Sequence, residues 1–141
     1  MDDPYDLQRF LAAQEGVYAT ALAEISHGEK LTHWMWFIFP QIHGLGSSAM
    51  AQKYAIKSYA EAKAYLQHPV LGARLRACAE AALRVEGKTA EEIFDSPDDM
   101  KLRSSATLFA QAAEPGSVFH QLIEKYFDSQ RDARTLQILE K

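Results

Sequence analysis

The stretch His33-Trp34-Met35-Trp36-Phe37-Ile38-Phe39-Pro40, running on into Gln41-Ile42-His43-Gly44-Leu45-Gly46-Ser47-Ser48, decides how the chain is read. It holds both tryptophans and two of the seven phenylalanines, then turns abruptly into glycine and serine. From Thr32 to Phe39 it is apolar on every side and too short for periodicity to separate a helix from a strand. Pro40 ends it in either case and biases Phe39 towards an extended conformation. The fold class therefore has to come from what surrounds it.

Upstream, Leu7, Phe10, Leu11, Gln14, Tyr18, Ala21, Leu22 and Ile25 recur at steps of three and four, which predicts an amphipathic helix stopped by Gly28. Downstream, Ser47 or Ser48 is placed to cap a helix reaching about Ala55, and Ser58 one that carries Ala62, Tyr65 and Leu66. His68-Pro69 marks a boundary before a helix bearing Val70, Leu71, Leu75, Cys78, Ala79, Ala82 and Leu83, ended by Gly87. Thr89-Ala90-Glu91-Glu92 has the form of a capping box. Ser96-Pro97-Asp98-Asp99 reads as a cap, a first-turn proline and carboxylates at the positive end of a helix dipole. Ser117 and Asp132 read as caps of two last helices, Val118 to about Asp128 and Ala133 to about Glu140. No segment alternates convincingly as a strand. The expectation is a compact all-α single domain over residues 1–141, built of about seven or eight short helices.

Composition bounds the function. The chain has 141 residues, 48% hydrophobic and 24% charged, enough to bury a core and too apolar for a disordered tail. With 15 basic and 19 acidic residues and a formal charge of -4, it offers no general attraction to the phosphates of a long nucleic acid. A single cysteine, Cys78, in an alanine-rich helical pattern, reads as an inert buried thiol. The N-terminal residues lack the basic and apolar regions of a secretory signal, and no apolar run reaches the ~18 residues of a membrane span. A cytoplasmic protein with no membrane partner is expected. The histidines at 27, 33, 43, 68 and 120 include no pair at ligand spacing, so neither a metal nor another cofactor is expected.

Three polar clusters fall outside the core pattern. The first is Gly28-Glu29-Lys30-Leu31-Thr32-His33. The second is the loop from Gln41 to Ser48, where Gly44 and Gly46 would let backbone amides turn to a ligand and a following helix N-terminus would favour phosphate or carboxylate. It matches neither the Walker loop nor the dinucleotide fingerprint, and taken alone it reads first as a plain turn and cap. The third runs from Asp98 to Phe109, where the three-and-four spacing puts Lys101, Ser104, Ser105 and Leu108 on one face and Leu102, Ala106, Phe109 and Ala113 on another. Lysine with two serines suits an oxyanion; the order is the reverse of the serine-lysine hydrolase signature, which argues against a nucleophile. The bland alternative is a salt-bridged surface with serines bonding back to their own helix. Trp34 and Trp36, as alternate residues, would face opposite sides if extended, one packing inward and one walling a cleft.

Together these clusters resemble the bacterial family known as domain of unknown function 1810, some members of which carry the name calpastatin. The resemblance rests on Phe10-x-x-Ala13-Gln14, Gly28-x-Lys30-x-x-His33 through Gln41, Gly44 to Ser48, Tyr65-Leu66-x-His68-Pro69-x-Leu71-Gly72, and Lys101-Leu102-Arg103-Ser104-Ser105-x-Thr107-Leu108-Phe109. It covers nearly the whole chain and implies a mainly helical fold with no settled activity. The calpastatin name evokes a long disordered repeat inhibitor, which this short, capped, core-forming chain does not resemble. A fainter similarity, in the order of aromatic segment, lysine helix and terminal helices, is to NADAR-type domains of NAD and ADP-ribose metabolism.

The functional expectation is a pocket for a small anionic molecule that bears phosphate and is nucleotide- or ADP-ribose-like. Its expected ligand-binding residues are Lys30, Trp34, Trp36, Gln41, Gly44, Gly46, Ser47, Ser48, Lys101, Ser104 and Ser105. In an enzymatic version His33 or Asp99 moves a proton during hydrolysis. The rival expectation is a non-catalytic protein-interaction module in which the aromatic run is wholly buried. The two differ in whether the Lys101 face shares a concave space with Gly46.

Overall fold

A computed structural model describes residues 3–140. Among them the chain is all-α, with ten helices: α1 Gln8–Gln14, α2 Tyr18–Ser26, α3 Met35–Ile38, α4 Ala49–Lys53, α5 Tyr59–Gln67, α6 Leu71–Arg84, α7 Ala90–Phe94, α8 Asp98–Ala112, α9 Val118–Tyr126 and α10 Ala133–Leu139. Strand-like pairing among the described residues is limited to one parallel bridge, Ile42 to Ile56. No described helix is long and apolar enough to cross a membrane.

The capping chemistry explains most of the boundaries. Ser48, Ser58 and Asp132 each accept a hydrogen bond from a first-turn amide, of Ala51, Glu61 and Thr135 respectively. Thr89 and Glu92 form the reciprocal capping box. His68 receives the amides of Val70 and Leu71 on Nδ1, at 3.1 and 3.2 Å, just ahead of α6.

Three of the expected helix boundaries and caps need correction. The first amphipathic stretch is two helices, not one, because the chain turns at Gly16 with φ 75°, a left-handed conformation that glycine adopts without strain. Ser96 does not cap α8: Pro97 holds the cap position and no side chain closes that end. Ser117 stands at the start of α9, yet its hydroxyl bonds the His120 ring at 2.7 Å instead of the first-turn amides.

The ambiguous aromatic run is a single helical turn, α3, with Phe39 leaving it at φ −123° ahead of Pro40. Trp34, Met35, Ile38 and Phe39 are buried by it, and Trp34 lies edge-on to Phe94. One hydrophobic cluster extends from Leu7 to Ile123 and draws on nearly every helix. Its axis is α8, which packs on α5, α7, α9 and α10. Residues Ser104 to Ala110 of α8 are all buried, so its second half does not have the exposed polar stripe that its spacing predicted. The helices packed around α8 cover it.

Candidate functional site

The site is organised by a buried carboxylate. Glu24, near the end of α2, accepts the amides of Leu31 (2.8 Å) and Thr32 (3.0 Å), the Thr32 hydroxyl (2.7 Å) and the Trp34 indole N–H (2.8 Å). Burial pushes its acidity the other way, but these donors outweigh that effect and hold the carboxyl at about 2. The clamp fixes the 31–34 loop with Trp34 pointing inward, 1% exposed. Two residues later the chain has rotated by about 200° around the α3 turn, which leaves Trp36 on the opposite side, half-buried. The separation expected from an extended chain is thus produced by one turn of helix.

Asp98, in the first turn of α8, links the two tryptophans' surroundings. Its Oδ2 pairs with Lys30 Nζ at 2.9 Å and its Oδ1 with Lys101 Nζ at 3.3 Å. Lys30 lies 5.0 Å from the Trp34 ring centre and is almost sealed, also donating to the Thr32 carbonyl. Lys101 lies 4.6 Å from the Trp36 ring centre and is partly open to solvent.

Trp36 and Lys101 line a cleft of about 430 Å³. One wall is Trp36 with Gln41, and the Leu45–Ser48 loop with Ala51 forms the rim. Across from it stand Pro97, Met100, Lys101 and Ser104 of the α8 end, with Asp132 and Arg134 from the start of α10. A narrower hollow that shares Trp36, Gln41, Gly46, Ala51 and Lys101 with the cleft is also lined by Gly44 and Tyr54. Gly46 lets the loop approach α4 closely: a Cβ there would sit 2.7 Å from that of Ala51, so one of the two would have to shift. The helix dipole expected behind the loop is small, because α4 has only five residues and Ser48 already occupies its first turn. Positive charge in the cleft comes from side chains instead. Lys101 and Arg134 stand against one lining carboxylate, Asp132, and Arg134 has no hydrogen bond or ion pair among the described residues.

Ser104 does bond back to its own helix, at 3.2 Å from the Met100 carbonyl, but it also reaches Asp132 Oδ2 at 2.9 Å. Its proton therefore has an acceptor in Asp132, while Lys101 is engaged by Asp98; the pair is not arranged as serine nucleophile and lysine base.

Of the expected site residues, Trp36, Gln41, Gly46, Ser47, Ser48, Lys101 and Ser104 line this cleft, and Gly44 the narrower hollow that shares its walls. Five do not. Lys30 is held behind the wall by Asp98, Trp34 is core, and His33 is exposed outside the cleft. Ser105 is turned into the packed interior, and Asp99 lies off the cleft; Ser105 Oγ and Asp99 Oδ1 are buried with no partner among the described residues. Burial pushes the Cys78 thiol up to about 12, consistent with an inert core residue.

Asp132, Arg134, Pro97 and Met100 were not expected at the site. Asp132 carries a complete local explanation as a cap, so nothing in its own neighbourhood points further. Only the packing of α10 on α8 brings it to Ser104, 28 positions away in sequence.

No curated protein matches the chain. The chain is similar to the conserved hypothetical protein Rv1873 from Mycobacterium tuberculosis, whose crystal structure was solved at 1.38 Å. The TM-score is 0.96 and the identity 49%, over 99% of this chain and 99% of that one. The family described as a protein of unknown function (DUF1810) matches residues 4–139. On a match of that extent, the chain belongs to the DUF1810 family.

Proposed function

We propose that the chain binds a small anionic ligand in the Trp36–Lys101 cleft, a phosphate-bearing molecule of nucleotide or ADP-ribose-like type. One observation carries the proposal: four segments distant in sequence, around Trp36, Gly46, Lys101 and Arg134, line a single hollow in which cations outnumber carboxylates. Its volume is in the range of small-molecule sites, ~300–1,000 Å³. Trp36 supplies an apolar face for a ring, and Lys101 and Arg134 supply charge for a phosphate. Gln41 and the Ser47 hydroxyl supply hydrogen bonds that fix orientation. The interaction-module reading needed the Lys101 face to look away from Gly46, and both line the same space. Hydrolysis is left out of the proposal, since His33 and Asp99, the two proton carriers expected of an enzyme, do not line the cleft.

Thermal unfolding followed by fluorimetry tests it, with inorganic phosphate, ribose 5-phosphate, AMP and ADP-ribose as probes. A ligand present at about 100 times its Kd stabilises the folded state by roughly 2.7 kcal/mol, which raises Tm by several degrees. The expected result is such a rise for at least one probe, lost in Lys101→Ala. Unchanged melting with every probe at millimolar concentration would sink the proposal.

A further inference from the structure

We propose that Asp132 sets the specificity of the cleft by accepting a hydrogen bond from the ligand. The ligand class is then an anion that also carries a hydroxyl or ammonium donor, and not a bare inorganic anion. This deepens the anion-binding proposal above and rests on it.

The two oxygens of Asp132 have different surroundings. Oδ2 is occupied: Ser104 Oγ donates to it at 2.9 Å, the Thr135 amide at 3.3 Å, and the Thr135 hydroxyl donates to it as well. The Asp132 amide in turn donates to Thr107 Oγ1 at 2.9 Å. Groups from α8 and α10 thus fix the carboxylate in one orientation. Oδ1 takes no hydrogen bond and no ion pair among the described residues. It is not sealed either, because the buried polar atoms without a partner are those of Asp99, Arg103 and Ser105. Asp132 lines the cleft, and with Oδ2 occupied Oδ1 is the oxygen left to accept from a ligand there.

Capping does not require this arrangement. The cap uses one acceptor on the Thr135 amide, which serine or asparagine supplies equally well, and it needs neither the second oxygen nor the negative charge. A carboxylate beside Lys101 and Arg134 would only weaken the binding of a simple anion through like-charge repulsion. It becomes favourable when the ligand offers a donor to it, because an ionised carboxylate can only accept and a hydrogen bond to a charged group is among the stronger kinds. The cleft then suits a molecule that carries both an anionic group and a hydrogen-bond donor.

The test is calorimetric titration of the full chain with three probes at one ionic strength: inorganic phosphate, ribose 5-phosphate and O-phosphoethanolamine. Wild-type protein is expected to bind one donor-bearing probe about tenfold tighter than inorganic phosphate, and which one identifies hydroxyl or ammonium as the donor. In Asp132→Ser, which keeps a capping oxygen, the preference is expected to fall to roughly twofold or less. Equal wild-type affinity for all three probes, or a preference that survives Asp132→Ser, overturns the role of Asp132. Should the variant not fold by circular dichroism, the wild-type ranking alone decides. Equal binding that Lys101→Ala abolishes removes only the inference about Asp132; no binding of any probe removes the anion-binding proposal as well.

Discussion

Trp34 and Trp36 are two residues apart, each lies near a lysine, and the two lysines share one carboxylate, Asp98. Around Trp34 the polar groups are matched within the chain: the indole N–H goes to Glu24, the Glu24 oxygens to the 31–34 loop, and Lys30 to Asp98 and Thr32. Around Trp36 the matching is incomplete. Lys101 is partly open, Arg134 has no partner among the described residues, and Asp132 keeps one oxygen free. The same residue types make a structural clamp where the network closes on itself and a candidate binding surface where it does not. Hydrogen-bonding capacity left over, more than residue identity, separates the two.

The contrast is most sharply tested by removing each indole. Trp34→Ala empties a fully packed position and orphans a Glu24 bond, so a loss of about 3–5 kcal/mol is expected in urea unfolding. Trp36→Ala is expected to cost about 1 kcal/mol, and the comparison breaks if the two losses are equal. Next in size is the acid response. Glu24 is held at about 2, against 4.5 for an ordinary glutamate, so its contribution is complete above pH 4.5 and is lost as pH falls towards 2. Stability measured from pH 6 to pH 2 should decline over that interval, and Glu24→Gln should be less stable at pH 6 with a shallower decline. An unchanged slope would remove the clamp from the explanation. The smallest stability effect is expected for Lys101→Ala, within about 1 kcal/mol, because its partly exposed pair with Asp98 contributes little. A larger loss would mean that the cleft side of the Asp98 bridge is structural too.

The helical class was legible because caps and apolar spacing act over a few residues: the Thr89 box and the serines at 48 and 58 act as their sequence suggests. Reading failed where local signals were equally satisfied by two outcomes. An uninterrupted three-and-four pattern crossed Gly16 without betraying the turn, and the spacing along α8 looked two-faced although the helix is enclosed by neighbours. Within the candidate site, Trp36, Gln41, the Gly44–Ser48 loop, Lys101 and Ser104 are residues singled out in the sequence that the structure brings to the cleft or the hollow next to it. Lys30, Trp34 and Ser105 were expected beside them and lie outside the cleft, the first two in a matched network and Ser105 in the packed interior, because such residues and those facing a cleft look alike in one dimension.

By itself, the sequence determined an all-α chain and a set of polar and aromatic residues from which a site can be built. Tertiary structure alone decided which tryptophan is sealed and which is open, and it brought Asp132 and Arg134 across from the last helix. The reason is one of range. Helix periods and caps depend on neighbours a turn away, whereas the partner that completes or leaves open a hydrogen bond at Asp132 comes from α8, 28 residues earlier in the chain.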